Sequence, residues 1–439
     1  MTRTHFPIRH CAWAALLATA PAWATNGMNM EGYGPVSTGM GGASQAVEHG
    51  SAAMAQNPAT LALGAGGMRL DLAAGRLGPD VKSAVPGMPT AESSGSAYYM
   101  PALGFTRRSG ALTYGVGVFA QGGMGTDYGG DSFLAVGSGQ PVRSELGVGR
   151  LLLPLAWQLT PDLAIGGSLD FVWASLDLRM AATGQQLGAL VTGVGGNLGQ
   201  AMPQLAQAPW ARVDFSNSND FSGAARSTGW AGKLGLVWRA TPAVTLGASY
   251  QTETDLGDMK TGVSGASLSA FGGFADSGRM TVRDFQWPAM AAVGAAWQAT
   301  PALLLAADVK RIAWSDVMQS FKMRYDSAQM GGSVDFALPQ NWKDQTVLNL
   351  GVAWSPTAAL TLRGGFNRGS NPISAAYVHP LFPATVEKHW TLGLGWKPSP
   401  AGEFNASLTV APTATVVNGQ GVTVTHAQKN LQLMYSLRF

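Results

Sequence analysis

The sequence predicts an all-β chain folded as an antiparallel transmembrane β-barrel. Three observations predict it: a composition poor in charge and rich in glycine, a side-chain period of two over most of the chain, and a recurring tryptophan placed just before a turn. Only 12% of the 439 residues are charged, against about 25% in ordinary soluble domains. Glycine numbers 58 and cysteine 1, with a formal net charge of +3. Disorder needs low hydrophobicity and high net charge, and one cysteine cannot build a disulfide framework. No run reaches the roughly 18 apolar residues of a spanning helix. A closed barrel is the remaining way to satisfy a backbone in lipid.

The elements follow in order. Arg3 and Arg9, the apolar run Cys11 to Ala20, Pro21 and then Ala22-Trp23-Ala24 read as a signal peptide, residues 1–24, cleaved after Ala24. Its removal takes 28 basic residues to 26, against 25 acidic ones. The mature charge is therefore near neutral, and no basic stripe with interleaved aromatics appears, so no nucleic-acid partner is expected. Residues 25–66 do not alternate. Gly32-Tyr33-Gly34-Pro35, Met40-Gly41-Gly42-Ala43 and Asn57-Pro58-Ala59 suit turns and short helices, whether in a flexible leader or a compact plug.

Residues 67–439 form the expected barrel. Leu431, Leu433, Tyr435, Leu437 and Phe439 alternate with Asn430, Gln432, Met434, Ser436 and Arg438. Trp390, Leu392, Leu394 and Trp396 alternate with Thr391, Gly393, Gly395 and Lys397, and Leu348 to Trp354 and Phe404 to Val410 behave alike. Successive strand side chains point to opposite faces, so a greasy face meets lipid and a mostly polar face lines the lumen. Trp157, Trp238 and Trp297 each precede a Thr-Pro turn, and Trp354 and Trp396 precede related ones. Proline pre-sets the turn, and tryptophans at one height make an interfacial girdle. Six short turns and seven long connections predict fourteen strands. The longest connection, 181–228, carries apolar residues at helical spacing. In 163–180 the alternation changes phase after Trp173, by a bulge or because the strand leaves the lipid zone.

The chemistry of an enzyme is missing. His49, His379, His389 and His426 make no metal pair, and no nucleophile elbow, P-loop or HExxH occurs. The expectation is a non-enzyme with no cofactor and no metal. Lys233, Arg239, Asp308, Lys310, Arg363 and Asn367 fall on the lumen face, as a filling network or a polar channel wall.

With these residues in view the chain resembles the FadL family of outer-membrane transporters for hydrophobic compounds. The resemblance rests on Gly32-Tyr33-Gly34-Pro35-Val36-Ser37, on Met40-Gly41-Gly42-Ala43, and above all on Asn57-Pro58-Ala59 just before the first strand. Similar stretches are Gly229 to Gly257, Phe285 to Val317 and Lys343 to Pro372. The resemblance implies a fourteen-stranded barrel whose residues 25–66 form a hatch in the lumen. It implies passive uptake of long-chain fatty acids or aromatic hydrocarbons, with lateral exit beside a kinked third strand. That strand is expected over Ala111 to Gln121, with the kink at Gln121, Gly122, Gly123, Met124 and Gly125. Arg179 and Lys343 are the headgroup candidates it suggests. The implied partners are a hydrophobic ligand, outer-membrane lipid and, through the terminal Phe439, the barrel-assembly machinery; a monomer is expected. A dry exit suits such ligands, since each buried CH₂ is worth about 0.8 kcal/mol. The alternative function is a general aqueous porin.

Overall fold

The computed structural model describes residues 26–219 and 221–439. The signal peptide expected at 1–24 lies outside the described residues. The alternating segments form one antiparallel sheet that closes on itself. Gly67–Leu77 pairs with Tyr98–Ser109, which pairs with Leu112–Tyr128. Pairing continues through Val142–Gln158, Leu163–Ala182, Ala225–Arg239 and Val244–Gln251. It runs on through Met290–Thr300, Leu303–Ile312, Gln345–Trp354 and Leu360–Gly369. Lys388–Trp396, Gly402–Val417 and Thr423–Arg438 complete the wall, and the last pairs back onto Gly67–Leu77.

The expected count of fourteen strands is corrected: among the described residues the sheet holds 24 strands, those of the closed circuit together with shorter ones paired onto its ends. Connections read as loops from their polar, irregular composition carry strands of their own. Pro79–Ala84 extends the pairing of Thr423–Arg438, and Phe274–Arg283, Ser320–Ser327 and Ser333–Pro339 pair in succession. Counting prolines and polar stretches misses these pieces because a short paired strand beyond the lipid zone needs no greasy face.

The longest connection also resolves into parts. Gly184–Ala189 and Gly196–Leu205 are helices, and the glycines between them lie in the strand Val191–Gly195. Leu187, Leu198, Met202 and Leu205 are buried. The phase change in 163–180 involves no bulge. Leu163–Ala182 keeps one register against Val142–Gln158 throughout. Leu176 and Leu178 are buried where Ala225 and Phe215 pair with them. The strand has left the lipid zone, and its other face becomes the covered one.

Outward side chains keep the expected character. Trp157, Trp238, Trp297, Trp354 and Trp396 are each close to half exposed. Residues 26–66 contain the short helix Gly34–Thr38 and the 3₁₀ turns Gly50–Ala55 and Pro58–Leu63, and are almost entirely buried. Gly34–Thr38 packs on Lys388–Trp396 and Gly402–Val417, whereas Pro58–Leu63 packs on Leu163–Ala182 and Ala225–Arg239. These wall strands lie far apart around the circuit, so the segment crosses the bore.

Candidate functional site

The segment is tied to the wall by the lumen-facing polar residues. The Asp308 carboxylate accepts from the Ser44 and Gln45 backbone N–H groups at 2.7 and 3.1 Å. Lys310 Nζ donates to the Gly42 carbonyl at 3.1 Å and Lys233 Nζ to the Met54 carbonyl at 3.1 Å. Asp71 accepts from Ser51 N at 2.8 Å, and Arg69 bridges Asp71 and Glu48. Buried charges are tolerable only when paired and hydrogen-bonded, and here the partners include the backbone of residues 42–54.

Asn57, Pro58 and Ala59 sit at one end of this arrangement. Asn57 Oδ1 accepts from Ala59 N at 3.1 Å, capping the following turn, with Pro58 at its first position. Asn57 Nδ2 donates to the carbonyls of Gln45 at 2.7 Å and Leu236 at 3.1 Å. A side chain at Gly166 or Gly235 would collide with this motif.

The other end meets Gln121–Gly125. Ala120 pairs with Gly149 but Gly122 with Val148, so Gln121 is one residue more than its partner strand can match. This is a β-bulge, which bends and twists the strand that carries it. On the opposite edge, pairing with Tyr98–Ser109 stops at Leu103 and Val118. Leu112–Tyr128 nevertheless runs on to Tyr128 along its other neighbour. The wall is therefore unpaired between residues 98–102 and 119–126. Beyond that stretch Ser94 N donates to the Asp127 carbonyl at 2.7 Å, and Ser93 Oγ accepts from Asp127 N at 3.0 Å.

Residues 28–33 take up the bonds the wall gives away. Gly123 N donates to the Met28 carbonyl at 3.1 Å, and Tyr33 Oη donates to the Gln121 carbonyl at 2.7 Å. Asn29 Oδ1 accepts from Gln121 Nε2 at 3.0 Å and from Trp287 Nε1 at 2.9 Å. A Cβ at Gly122 would strike the Met28 carbonyl, so that position requires glycine for the approach.

Above this junction lies an apolar cavity of about 20 Å³ lined by Met28, Met124, Phe285, Phe321, Trp342 and Phe382 among others. Gln340 is its one polar lining residue, and no charged residue lines it. That is room for about one water molecule. Methionine adapts its shape readily, and Met28, Met124 and Met318 all face the cavity. Trp342 continues into a file of indoles, 5.0 Å from Trp314, which is 5.6 Å from Trp287. A smaller neighbouring cavity shares Met124 and is lined by Gly123, Gly125, Pro383 and His426.

The structure brings Gln121 to Gly125 against residues 28–33 and the cavity. It places the other candidates elsewhere. Arg179 Nε lies 3.4 Å from Asp214, and its guanidinium donates to Ser218 Oγ at 2.6 Å. Lys343 is exposed beside Trp342 and lies outside the cavity lining. Sequence reasoning missed Asn29 and the ring of Phe285, Trp287, Trp314, Phe321, Trp342 and Phe382. A usable signal existed for the tryptophans: these three do not precede the periodic turns.

A closed barrel with polar-anchored contents and an apolar cavity defines a class, the outer-membrane transport barrels. The chain belongs to the family described as outer membrane protein transport protein (OMPP1/FadL/TodX), whose profile matches residues 11–436. Among solved structures it is similar to the Pseudomonas putida toluene transporter TodX, with 31% identity, TM-score 0.84, and coverage of 93% of this chain and 99% of that one. The Ralstonia pickettii toluene transporter TbuX gives 32% identity, TM-score 0.79 and the same coverages, 93% and 99%. The monoaromatic hydrocarbon channel CymD gives 27% identity, TM-score 0.76 and coverages of 94% and 99%. A curated Chlorobium limicola protein, uncharacterized and encoded in the phosphoenolpyruvate carboxykinase gene 5′ region, is 52% identical over 50 residues. The match spans 11% of this chain and only a quarter of that protein's length.

Proposed function

We propose that the protein takes up small neutral hydrophobic molecules, monoaromatic hydrocarbons above all, by diffusion across the outer membrane. The ligand enters the aromatic cavity from outside and passes Met124. It then leaves sideways through the unpaired stretch of wall beside Leu112–Tyr128, so that it stays out of water throughout. Residues 26–66 serve as the hatch that bars an aqueous path. The observation that carries this reading is the coincidence of three features at one place: the bulge at Gln121, the end of wall pairing at Leu103 and Val118, and the apolar cavity reaching Met124. The cavity lining favours a neutral ligand over a fatty acid. A carboxylate there would lack a partner, and an unpaired buried charge is costly. The solved relatives carrying toluene and monoaromatic hydrocarbon names support the same ligand class.

Asn29 gives the route a latch. It bonds both Trp287 at the cavity and Gln121 at the bulge, so a ring that displaces Met28 and Trp287 also loosens the strand edge. The test is uptake of labelled toluene and of oleate by cells carrying the protein or a variant with Gln121 deleted, which restores the strand's match to its partner. Toluene uptake is expected to fall at least about tenfold, a barrier rise of about 1.4 kcal/mol, with the barrel still assembled. Unchanged toluene uptake by the deletion variant rejects lateral exit, and oleate uptake exceeding toluene rejects the ligand class.

A further inference from the structure

The lipid-facing side of one flank ends in basic side chains that the protein does not neutralise. On Lys388–Trp396, Trp390 and Leu392 face outward, 59% and 64% exposed, and Lys388 shares their face. On Leu360–Gly369, Leu362, Phe366 and Arg368 share the outward face. The register sets Arg368 directly opposite Lys388. Like charges directly opposite on one sheet face are destabilising. Among the described residues neither has a carboxylate within ion-pair distance; the nearby Asp344 is engaged by Arg311 at 3.1 Å.

The height of the pair is set by the aromatics below it. The Phe366 and Trp390 rings lie 4.6 Å apart, one outward step beneath Arg368 and Lys388. Trp396, at the other end of the same strand, is about 20 Å further along at roughly 3.3 Å per residue. Aromatic girdles flank a lipid-facing band about 25 Å tall. With the strands tilted by about 40°, Lys388, about 26 Å along the strand from Trp396, stands about 20 Å from it along the membrane normal, and the long stems of Arg368 and Lys388 carry their charges to the outer edge of that band.

We infer that Arg368 and Lys388 form a binding site for the phosphate-bearing head of an outer-leaflet glycolipid, whose acyl chains lie on Leu348, Phe366, Trp390 and Leu392. Charge complementarity selects the occupant. The cations stand at headgroup height over an apolar wall, and guanidinium groups bind phosphate through paired, charge-assisted hydrogen bonds. A phosphate between Arg368 and Lys388 relieves their repulsion, whereas a zwitterionic head brings a compensating cation into the same place. The site is independent of the transport route, which lies on the other side of the wall.

The test uses the full-length protein in detergent micelles, with binding read by native mass spectrometry. The probes are diphosphoryl lipid A, its dephosphorylated form and phosphatidylglycerol. Diphosphoryl lipid A is expected to bind best. The Arg368→Gln/Lys388→Gln double variant is expected to bind it about tenfold more weakly, as for loss of two charge-assisted contacts. The Lys82→Gln variant, whose lysine pairs with Glu92 at 2.8 Å, keeps full affinity. Retained heat-modifiable gel mobility reports the folded barrel. If the double variant does not assemble, Lys388→Gln alone is expected to cost about threefold. Full affinity in either variant overturns the site, and equal binding of phosphatidylglycerol overturns the glycolipid as its occupant.

Discussion

Two pairs of adjacent strands, well separated around the same wall, behave differently. Gln345–Trp354 and Leu360–Gly369 hold one register from Trp354 opposite Leu362 to Val347 opposite Gly369. On their lumen face the side chains bond to one another: Asn367 Nδ2 donates to Asn349 Oδ1 at 3.4 Å, and His389 Nδ1 lies 2.8 Å from Asn367 Oδ1. Tyr98–Ser109 and Leu112–Tyr128 part company after Leu103 and Val118. There the backbone of Met28 and the side chains of Asn29 and Tyr33 replace the missing wall strand. In the first pair the wall satisfies its own backbone and residues 26–66 pack onto it. In the second those residues are part of the wall's hydrogen bonding. An opening there costs less than one elsewhere, because the bonds to be broken are few and belong to a separate segment.

Deleting Gln121 is the largest perturbation of this contrast, since it makes the second pair resemble the first. The next largest acts on the first pair and compares two adjacent glycines. A Cβ at Gly365 meets the backbone of Met40 and Gly41, whereas at Gly364 the nearest atom is Val352 Cγ1 at 3.5 Å, an ordinary contact. Gly365→Val is expected to push residues 40–41 off the wall, at about 3 kcal/mol as for severe overpacking. It should admit small polar solutes, measured as conductance in planar bilayers. Gly364→Val on the lipid side should leave conductance unchanged. Equal conductance in the two variants would show that residues 40–41 do not seal the bore.

Asp308→Asn weakens one anchor of the same segment without changing its volume. Two backbone donors lose a charged acceptor, and Lys310 loses a nearby countercharge. The cost is expected to be about 2 kcal/mol, in the range for hydrogen bonds to a charged group. Faster proteolysis within residues 42–56, with the barrel intact, is the readout. If protection there is unchanged, Lys233 and Asp71 carry the attachment instead.

What was legible in the sequence divides along the same line. Trp390 to Trp396 and Leu431 to Phe439 declare their face because lipid contact imposes a period of two. In the run Gly122-Gly123-Met124-Gly125 the first glycine has a reason glycine often has, a close backbone approach, here to the Met28 carbonyl. That Gln121 is the unmatched residue is a property of two strands in register, and one strand's pattern does not contain it. The outer strands of the 24-stranded sheet lie beyond the lipid, so nothing imposes alternation on both their faces. The cavity joins Met28, Phe285 and Phe382 from remote parts of the chain. Only their failure to fit the periodic pattern distinguishes them beforehand. Arg179 is a basic residue at a phase change, which in the sequence resembles a ligand anchor; in the fold it stands beside Asp214 and Ser218, outside the cavity lining.

The smallest expected effect concerns the cover of the second pair. The segment 379–383 lies outside the wall strands and rests on Leu112–Tyr128 and Thr423–Arg438: the Pro380 carbonyl accepts from Tyr128 Oη at 3.1 Å, and the Pro383 carbonyl lies 2.7 Å from His426 Nδ1. His379 Nδ1 accepts from Leu381 N at 3.1 Å, which requires a neutral acceptor nitrogen. Burial lowers the His379 pKa from 6.5 to about 4. A histidine held neutral in the fold contributes its full stability above the unfolded value. That contribution falls as the opened segment takes up a proton between pH 6.5 and about 4. Hydrogen exchange at Leu381 and Phe382, corrected for the intrinsic pH dependence of exchange, should therefore rise about eightfold from pH 7 to pH 5.5 as a local opening. In His379→Gln that rise should be absent, because glutamine does not titrate. Residues 345–369 should keep their protection across the same range, since the first pair has no such cover; an equal loss there would mean that acid opens the barrel as a whole and that the two strand pairs do not differ in the way their hydrogen bonds imply.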